Sequence, residues 1–312
     1  MSGRVILLTG GTSGLGLETA RRLAAEPGTR LLIGVRRPDG AQALRQAVPA
    51  DRLHILQLDL ASLHSVRAFC RAVRDTLGPR SIDAMAFNGG IQVTSGKAMT
   101  EDGIEMDFQV NYLSHWLIHN LLKARLAPGA PVVMTTRGTH DPNDRIARLF
   151  GFRGGFFPSA DAVAAGEVAP GATEAQHCLD RYATAKMCQV MFALGQARRD
   201  TSARFLAFDP GLMPGTGLAR DRGAVERFGW SHVMPLLRFV MSGVSTPEKS
   251  ARLYADLLLG RHDAASGQQV EFTGRITQPS TLAKDTAKQD VLQNISRALC
   301  DKAATAIIAD EV

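Results

Sequence analysis

The chain has 312 residues, of which 45% are hydrophobic and 21% are charged, and its formal net charge at pH 7 is +6. These proportions are typical of a globular protein with ample apolar material for a core. The arginines are scattered and no run of five basic residues occurs, so we expect no nucleic-acid partner. No apolar run approaches the roughly 20 residues that span a bilayer, so we expect no transmembrane segment.

The thiols and histidines do not predict a metal site. The four cysteines are Cys70, Cys178, Cys188 and Cys300. They show neither metal-ligand spacing nor a paired framework, so we expect reduced thiols and a cytoplasmic protein. The first strand begins without a preceding leader, which predicts no signal peptide. His115 and His119 lie four residues apart on a predicted helix, but no third ligand accompanies them.

Strand-like and helix-like segments alternate through the first 210 residues, which predicts a parallel sheet with crossover helices. The predicted strands are 4–8, 30–35, 53–57, 82–87, 131–136, 203–208 and 269–273. The predicted helices include 17–25, 41–48, 103–126, 173–199, 246–259 and a tail from 280. The pattern predicts an α/β fold, a doubly wound Rossmann-type sheet of about seven parallel strands with helices on both faces.

Two irregular segments interrupt this alternation. Residues 141–171 contain three prolines, five glycines and four phenylalanines, and residues 212–243 contain Trp230, Phe228 and Phe239. Because long segments of this kind are usually functional, we expect them to wall a substrate pocket. No linker separates two units, so we predict one domain over 1–312 with insertions at 141–171 and 212–243.

A glycine-rich turn follows the first predicted strand and precedes the first predicted helix. It reads Thr9-Gly10-Gly11-Thr12-Ser13-Gly14-Leu15-Gly16. Glycines let the backbone approach a pyrophosphate, and free N–H groups at a helix N-terminus attract its negative charge. We predict that the phosphate-binding residues are Gly10, Thr12, Ser13, Gly14, Leu15 and Gly16.

The end of the second predicted strand indicates which dinucleotide binds. In a doubly wound fold, an acidic residue at this position bonds the 2′-hydroxyl of NAD, whereas a nearby arginine accommodates the 2′-phosphate of NADP. Val35 is followed here by Arg36 and Arg37, and no carboxylate is present. The two guanidinium groups predict NADP(H) as the cofactor.

Tyr182 and Lys186 lie four residues apart on a predicted helix, which places both side chains on one face. A free phenol has a pKa of about 10 and is a poor base near neutrality. A nearby ammonium stabilises the phenolate, so the tyrosine can exchange a proton with an alcohol or a carbonyl while hydride moves to or from nicotinamide. This spacing predicts a catalytic pair.

With these motifs the sequence resembles the short-chain dehydrogenase/reductase family, from about residue 5 to the 270s. The family's turn T-G-x-x-x-G-x-G is matched in full by residues 9–16. The resemblance implies that Tyr182 and Lys186 also contact the cofactor. It further implies that Asn111 relays protons with the lysine through water.

The same resemblance implies further cofactor-binding positions. Asp59, followed by Leu60, matches the family's acid that helps to seat the adenine. Asn88-Gly89-Gly90 looks like the family's N-A-G, with glycine for alanine. Pro210-Gly211 with Thr216 resembles the P-G-x-x-x-x-T segment that holds the nicotinamide carboxamide.

One departure concerns the family's serine after the fifth strand, which hydrogen-bonds the substrate oxygen. This chain has Thr135-Thr136 followed by Arg137. We align Thr136 with the serine, because threonine keeps the hydroxyl, and Thr135 and Thr139 are alternatives. If none of them reaches the substrate, we expect weaker catalysis or orientation of the substrate by Arg137.

Within the family, residues 111–117, 182–186 and 210–218 look most like the branch of retinol dehydrogenases and light-dependent protochlorophyllide reductases. Cys188, two residues after Lys186, is a further point of resemblance to the protochlorophyllide enzymes. Those enzymes carry a cysteine directly after the P-G, thought to serve in proton delivery, and Leu212 takes that position here. The resemblance therefore favours a carbonyl reductase or alcohol dehydrogenase that needs no light.

We predict an NADP(H)-dependent oxidoreductase that transfers hydride between nicotinamide and the carbonyl or alcohol of a bulky apolar substrate. Two alternatives stay open: a light-dependent C=C reduction like that of protochlorophyllide reductase, and a cofactor-binding sensor or scaffold with weakened catalysis. Family members often dimerise through the helices of Asn111 and Tyr182, although a long insertion can block this. We therefore expect a monomer or a homodimer.

Overall fold

The computed structural model describes residues 3–171, 173–213 and 243–310, with side chains to residue 305. Eight strands in this part of the chain form one sheet. Their bounds are β1 Val5–Thr9, β2 Arg30–Val35, β3 Leu53–Gln57, β4 Ala84–Phe87, β5 Pro131–Thr135, β6 Arg204–Asp209, β7 Gln268–Glu271 and β8 Ile276–Thr277.

The order of the strands across the sheet is β3-β2-β1-β4-β5-β6-β7-β8. Strands β1 to β7 are parallel, and β8 pairs antiparallel to β7. The chain winds outward from β1 in both directions, which confirms the predicted doubly wound α/β fold. The prediction of seven strands missed β8, because two residues are too few to show an alternating pattern.

Helices connect the strands and pack on both faces of the sheet. Their bounds are α1 Gly14–Ala25, α2 Gln42–Ala47, α3 Leu63–Leu77, α4 Met106–Phe108, α5 Ser114–Leu122, α6 Arg145–Leu149, α7 Ala160–Ala164, α8 Glu174–Arg199, α9 Pro247–Leu258 and α10 Thr286–Asp310. A turn of wider π geometry, Gln109–Leu113, joins α4 to α5. Short 3₁₀ turns are Pro38–Gly40, Ala50–Arg52, Lys123–Arg125 and Gly138–His140.

Strand β1 shows why the sheet separates two cores. Successive side chains of a strand point to opposite faces. Val5 and Leu7 therefore join the core under α3, α5 and α8, whereas Ile6 and Leu8 join the core under α1 and α9. All four are at most 3% exposed, so β1 is buried on both faces as a central parallel strand must be.

Helix α10 covers helix α8 and the segment that leads into α5. The indole of Trp116 donates a hydrogen bond to Gln293 Oε1 at 2.7 Å, and the hydroxyls of Tyr112 and Ser296 are 2.8 Å apart. Gln196 Nε2 on α8 also donates to Gln293, at 3.1 Å. The outer face of α5 and α8 is therefore packed against α10, in the chain's own tail.

A helix that crosses a bilayer must be both long and apolar. None of the helices in residues 3–171, 173–213 and 243–310 is long and apolar enough to cross a membrane. The longest, α8, has 26 residues and buries Lys186 and Arg181 among its charged side chains. This agrees with the sequence-based expectation of no transmembrane segment in this part of the chain.

Candidate active site

The glycine turn lies between the end of β1 and the start of α1. Gly10 and Gly14 have φ angles of +70° and +53°, a region that favours glycine. A Cβ on Gly16 would lie 2.0 Å from the carbonyl oxygen of Gly10, so no other residue fits there without moving the turn. The glycines of the motif are thus required by backbone geometry.

Asn88 ties this turn to the end of β4. Its Nδ2 donates to the carbonyl oxygen of Gly10 at 2.9 Å, and the Thr9 hydroxyl accepts from the backbone N–H of Gly89 at 2.9 Å. The neighbouring strands β1 and β4 lie where the strand order reverses, and a doubly wound sheet binds its ligand at that point. Two predicted motifs therefore meet at the expected crevice.

The surroundings of the turn suit an anionic dinucleotide. The first turn of α1 carries no acidic residue, so its N-terminal dipole is not neutralised by a carboxylate of its own. Thr12 and Ser13 are exposed at the turn, and Leu15 is buried in the core beneath it. Arg36 and Arg37 are exposed directly after β2. These residues offer positive charge and free backbone N–H groups to an anionic dinucleotide.

Asp59 and Leu60 follow β3 on the same side of the sheet. Asp59 Oδ1 accepts a hydrogen bond from the Ala61 N–H at 2.9 Å, which shapes the turn. A Cβ on Gly89 would lie 2.8 Å from Leu60 Cδ1, so glycine in the place of the family's alanine brings these two segments into close contact. Both predicted residues therefore border the crevice between β1 and β4.

Helix α8 presents Tyr182 and Lys186 toward the end of β5. The Lys186 ammonium lies 5.5 Å from the centre of the Tyr182 ring and donates to the carbonyl oxygen of Thr135 at 3.3 Å. Tyr182 is 3% exposed and Lys186 is 6% exposed. The four-residue spacing places both groups together at a buried position, as a proton-transfer pair requires.

Asn111 sits in the π turn and completes this group. Its amide donates to the carbonyl oxygen of Ile91 at 3.1 Å and accepts from the Ile91 N–H at 3.0 Å. Its backbone carbonyl accepts from Gln189 Nε2 of α8 at 2.7 Å. A Cβ on Gly90 would lie 2.5 Å from Asn111 Oδ1 and 3.7 Å from Lys186 Nζ, so the asparagine and the lysine flank the same small space.

Charges around α8 alter the proton affinities of the pair. Burial is the main reason that the pKa of Lys186 falls to about 7, and the positive charge of Arg137 lowers it further, against Asp107 and Asp209. Burial raises the pKa of Tyr182, whereas the charge and the hydrogen bond of Arg137 lower it. Arg137 therefore favours the deprotonated form of both groups.

The placement of Thr136 differs from the prediction. Its side chain is fully buried, and its hydroxyl donates to the carbonyl oxygen of Lys186 at 3.0 Å, so it points at helix α8. The Thr135 hydroxyl donates to the Tyr254 hydroxyl at 3.1 Å. Neither threonine lines the cleft beside Tyr182, whereas Thr139 and Arg137 do. Arg137, which directly follows Thr136, lines the cleft instead.

That cleft has two chemically different walls. Its apolar wall consists of Ile146, Ala147, Phe150, Phe152, Leu179, Leu212 and Phe272. The rings of Phe152 and Tyr182 lie 6.0 Å apart. Phe157, from the same predicted insertion, is 6% exposed and packs in the core instead. Segment 141–171 thus supplies part of the pocket wall and part of the core.

The polar wall holds acidic side chains beside Arg137. A Cβ on Gly138 would lie 2.4 Å from Asp144 Oδ2 and 3.4 Å from Asp209 Oδ2, so glycine lets two carboxylates converge. Burial raises the pKa of Asp209, the nearby Asp144 raises it further, and Arg137 lowers it. Glu271 also lines this wall, so the cleft combines one fixed cation with three carboxyl groups.

The segment after β6 borders the same cleft. Gly211 has a φ angle of +72°, its N–H donates to Asp209 Oδ1 at 2.9 Å, and the carbonyl oxygen of Pro210 accepts from the Ser250 hydroxyl at 2.7 Å. Thr216, predicted to hold the carboxamide, lies outside the described residues. So does most of the predicted insertion 212–243.

Comparison with known families agrees with this geometry. Residues 4–135, which carry the glycine turn, Asn88 and Asn111, match the model of the short chain dehydrogenase family. Over residues 4–135 the chain is similar to the short-chain dehydrogenase/reductase family. It is 39% identical over 145 residues to a probable oxidoreductase of Streptomyces lividans, a match that covers 45% of this chain and 47% of the relative.

Two other proteins are similar to this chain. Retinol dehydrogenase 14 of Homo sapiens is 40% identical over 150 residues, which cover 42% of this chain and 43% of that protein. The chain thus spans about half the length of the curated relatives it matches. A crystal structure of NADPH-bound carbonyl reductase from chicken fatty liver shares the fold, with a TM-score of 0.63 at 17% identity over 89% of this chain and 100% of that one.

Two site residues were missed in the sequence-based prediction, and a third had only a secondary role in it. Arg137 entered only as a substitute for the threonines, and Asp107 and Asp209 were not predicted. Asp107 lies one helical turn before Asn111 and accepts a hydrogen bond from Asn111 Nδ2 at 3.4 Å, so the i, i+4 spacing was the available signal. No pattern in the sequence indicates that Arg137 and Asp209 line the same cleft.

Proposed function

We propose that this protein is an NADP(H)-dependent oxidoreductase that acts on the carbonyl or alcohol group of a bulky apolar substrate, with Tyr182 as the general acid and base. The observation that carries the proposal is the juxtaposition of Tyr182, Lys186 and Asn111 at the polar end of an apolar cleft. The family supports oxidoreductase chemistry.

When bound, the nicotinamide supplies or accepts the hydride. Tyr182 then donates a proton to the substrate oxygen in reduction and takes one from the alcohol in oxidation. The positive charges of Lys186 and Arg137 stabilise the phenolate that remains after proton donation. With a pKa of about 7, Lys186 can also release and regain a proton near neutral pH, and Asn111 borders the route away from it.

The choice of cofactor rests on chemistry at the end of β2. Arg36 and Arg37 would hold a 2′-phosphate, while the glycine turn and the N-terminus of α1 would hold the pyrophosphate. The fold is shared with a carbonyl reductase whose structure contains NADPH, which supports the same cofactor by analogy at the level of the fold. Arg36 and Arg37 are the features of this chain that distinguish NADP(H) from NAD(H).

An apolar substrate is supported by the side chains that line the cleft. Phe150, Phe152 and Phe272 offer wide apolar surfaces, and the polar groups converge at one end beside Tyr182. Such an arrangement buries the body of a ligand and orients one polar group. The name of one relative, retinol dehydrogenase 14, describes an alcohol with a large apolar body and supports the same substrate class.

We also infer that the protein is a monomer. Helix α10 covers the face of α5 and α8 through Trp116, Tyr112 and Gln196. A dimer of the family type would have to displace this helix and its buried hydrogen bonds. Sedimentation of the purified protein checks this inference, because a homodimer would contradict it.

A matrix of cofactors and substrates tests the proposed function. The purified enzyme is assayed with NADPH and with NADH against aliphatic, aromatic and polyene aldehydes and ketones, and against small polar carbonyls. Each combination is run in darkness and in light. We expect NADPH oxidation in darkness, with kcat/KM rising with the apolar surface of the substrate. Turnover only in light, or only with small polar carbonyls, would contradict the proposal.

A second function, a sensor or scaffold that binds the cofactor without turnover, is favoured by the orientation of Thr136. Its hydroxyl is bonded to helix α8 and does not face the cleft. This candidate predicts tight NADPH binding without oxidation of NADPH by any carbonyl. Turnover by the wild-type protein that is lost in Tyr182→Phe excludes it.

A further inference from the structure

The end of β5 lacks a hydroxyl in the place where the family's serine meets the substrate. Thr135 and Thr136 both donate to partners within the protein, at 3.1 and 3.0 Å. Neither lines the cleft. A substrate oxygen next to Tyr182 therefore needs another donor, since an oxygen that gains negative charge in a dry site is strongly stabilised by a fixed hydrogen-bond donor.

Arg137 occupies the cleft directly after these two threonines. Its backbone is extended, and the 3₁₀ turn that starts at Gly138 follows at once, so the side chain leaves the sheet on the side of the cleft. In the described part of the chain, no carboxylate lies within ion-pair distance of its guanidinium. The five N–H donors of arginine cannot be deprotonated in practice, so they supply charge without entering the proton transfer.

Three effects place the guanidinium beside the reacting groups. Arg137 acts on Tyr182 through both charge and a hydrogen bond, and it acts on Lys186 and Asp209 through charge. Tyr182 on helix α8 and Asp209 at the end of strand β6 line the same cleft as Arg137. The guanidinium therefore lies in the same cleft as the phenol that exchanges the proton.

We propose that the guanidinium of Arg137 binds the reacting oxygen of the substrate, in the place that a serine hydroxyl holds in the family. The oxygen accepts a hydrogen bond from Arg137 while Tyr182 delivers the proton to it and the carbon receives the hydride. Arg137 gains and loses no proton, and Asp209 lies beside it on the polar wall. The inference rests on the proposed function, because it assigns the donor for that same reaction.

The chief competitor is Thr139, whose hydroxyl is buried without a hydrogen-bond partner among the described residues and whose side chain lines the cleft. A neutral hydroxyl would act like the family's serine. It would leave the charge of Arg137 without a role in the reaction. The two donors are separable, because Thr139→Val removes the hydroxyl at constant shape and Arg137→Gln removes the charge while it keeps an amide.

Steady-state kinetics give the first readout. We expect Arg137→Gln to lower kcat about 10²- to 10³-fold, the usual cost of losing one donor to a developing oxyanion, with an NADPH Kd close to that of the wild type. Arg137→Lys keeps the charge but loses the planar fork, so it should recover part of kcat. Arg148→Gln, on the exposed side of α6, is the matched control and should change nothing. Thr139→Val should cost less than Arg137→Gln.

The second readout does not depend on turnover. With ¹³C-labelled lysine, the signal that disappears in Lys186→Arg reports the Lys186 titration, whose midpoint we expect near pH 7 in the free enzyme. The groups that face Lys186 are Tyr182 on its own helix, Arg137 after β5, Asp107 on α4 and Asp209 on β6. Removal of the positive neighbour in Arg137→Gln should move the midpoint to higher pH, and Arg137→Lys should move it less.

Three results would overturn the assignment. The first is wild-type kcat in Arg137→Gln, and the second is a large loss in Thr139→Val with none in Arg137→Gln. The third is a loss of kcat in Arg137→Gln without any movement of the Lys186 midpoint, since that marks a structural defect. If the wild-type enzyme reduces no carbonyl, the proposed function fails, and the role of Arg137 in that reaction fails with it. If the Lys186 midpoint still moves in Arg137→Gln, the guanidinium does act on Lys186, and only the reaction was misassigned.

Discussion

The cofactor end and the substrate end of the site are built by different means. At the cofactor end, Gly10, Gly16 and Asn88 lie at the ends of adjacent strands and are joined through backbone atoms. At the substrate end, Arg137 and Asp209 project charged side chains into the cleft from the ends of β5 and β6. The glycine turn matches the family's motif in full, whereas the residues after β5 depart from it. Contacts made by the backbone tolerate few residues, but contacts made by side chains can be exchanged.

Loss of the Tyr182 phenol should give the largest difference between the effect on catalysis and the effect on cofactor binding. We expect Tyr182→Phe to lower kcat about 10³-fold or more, because general acid–base catalysis is removed, while the Kd for NADPH measured by fluorescence titration stays within about threefold. Tyr112→Phe is the matched control, since its hydroxyl bonds Ser296 far from the cleft. Equal activity of Tyr182→Phe and Tyr112→Phe would remove Tyr182 from the mechanism.

A methyl group added to the glycine turn should instead weaken the binding of the cofactor. The Cβ of Gly16→Ala would lie 2.0 Å from the Gly10 carbonyl oxygen, so the turn must shift and we expect NADPH to bind about 100-fold more weakly. The control is Gly40→Ala, where the nearest atom to the new Cβ is 3.9 Å away. Isothermal titration calorimetry measures both. Unchanged NADPH affinity in Gly16→Ala would contradict the assignment of the turn.

The arginines after β2 should set the preference between the two dinucleotides. For the double variant Arg36→Gln and Arg37→Gln, we expect kcat/KM with NADPH to fall about 30-fold, because two charge-assisted hydrogen bonds to the 2′-phosphate are lost. The value with NADH should change little. Arg71→Gln, on the exposed face of α3, is the control. An equal loss with both cofactors would show that these arginines do not read the 2′-phosphate.

The smallest expected effect lies outside both ends of the site. His119 is buried between the rings of Phe192 and Phe205, and among the described residues neither of its nitrogens has a partner. Burial lowers its pKa from 6.5 to about 4. The unfolded chain therefore binds more protons between pH 6.5 and 4, so the unfolding free energy falls as the pH falls through this range.

His119→Phe should reduce this acid sensitivity by about 1–2 kcal/mol between pH 7 and pH 5. Urea denaturation at the two pH values measures the difference, and the exposed His64 on α3 supplies the control His64→Phe. The kinetic constants at pH 7 should stay unchanged, because His119 touches neither end of the site. An acid sensitivity identical to that of the wild type would show that His119 titrates normally.

Most of the sheet could be predicted from the sequence. The strands β1 to β7 follow short apolar runs that begin and end at glycine, proline or polar residues, and the caps of α3 and α9 follow from Ser62 and Thr246. Strand β8 could not be predicted, because Ile276 and Thr277 are held by pairing with β7 and not by a pattern of their own.

The substrate end was harder to predict, because Arg137 lines the cleft and the two threonines before it do not. Thr135-Thr136 reads like the family's serine pair, and only the structure shows that both hydroxyls are bonded within the protein. Alternation along a strand fixes the face only for residues within the strand, and Arg137 lies beyond its end.

The sequence by itself determined the family, the doubly wound sheet, the phosphate-binding turn and the spacing of Tyr182 and Lys186. These features depend on residues close together in the chain, so local geometry suffices to recognise them. Only the tertiary structure decided that Arg137 and Asp209 line the same cleft and that α10 covers α5 and α8. These contacts join distant segments, and their energies depend on burial and distance, which no local pattern encodes.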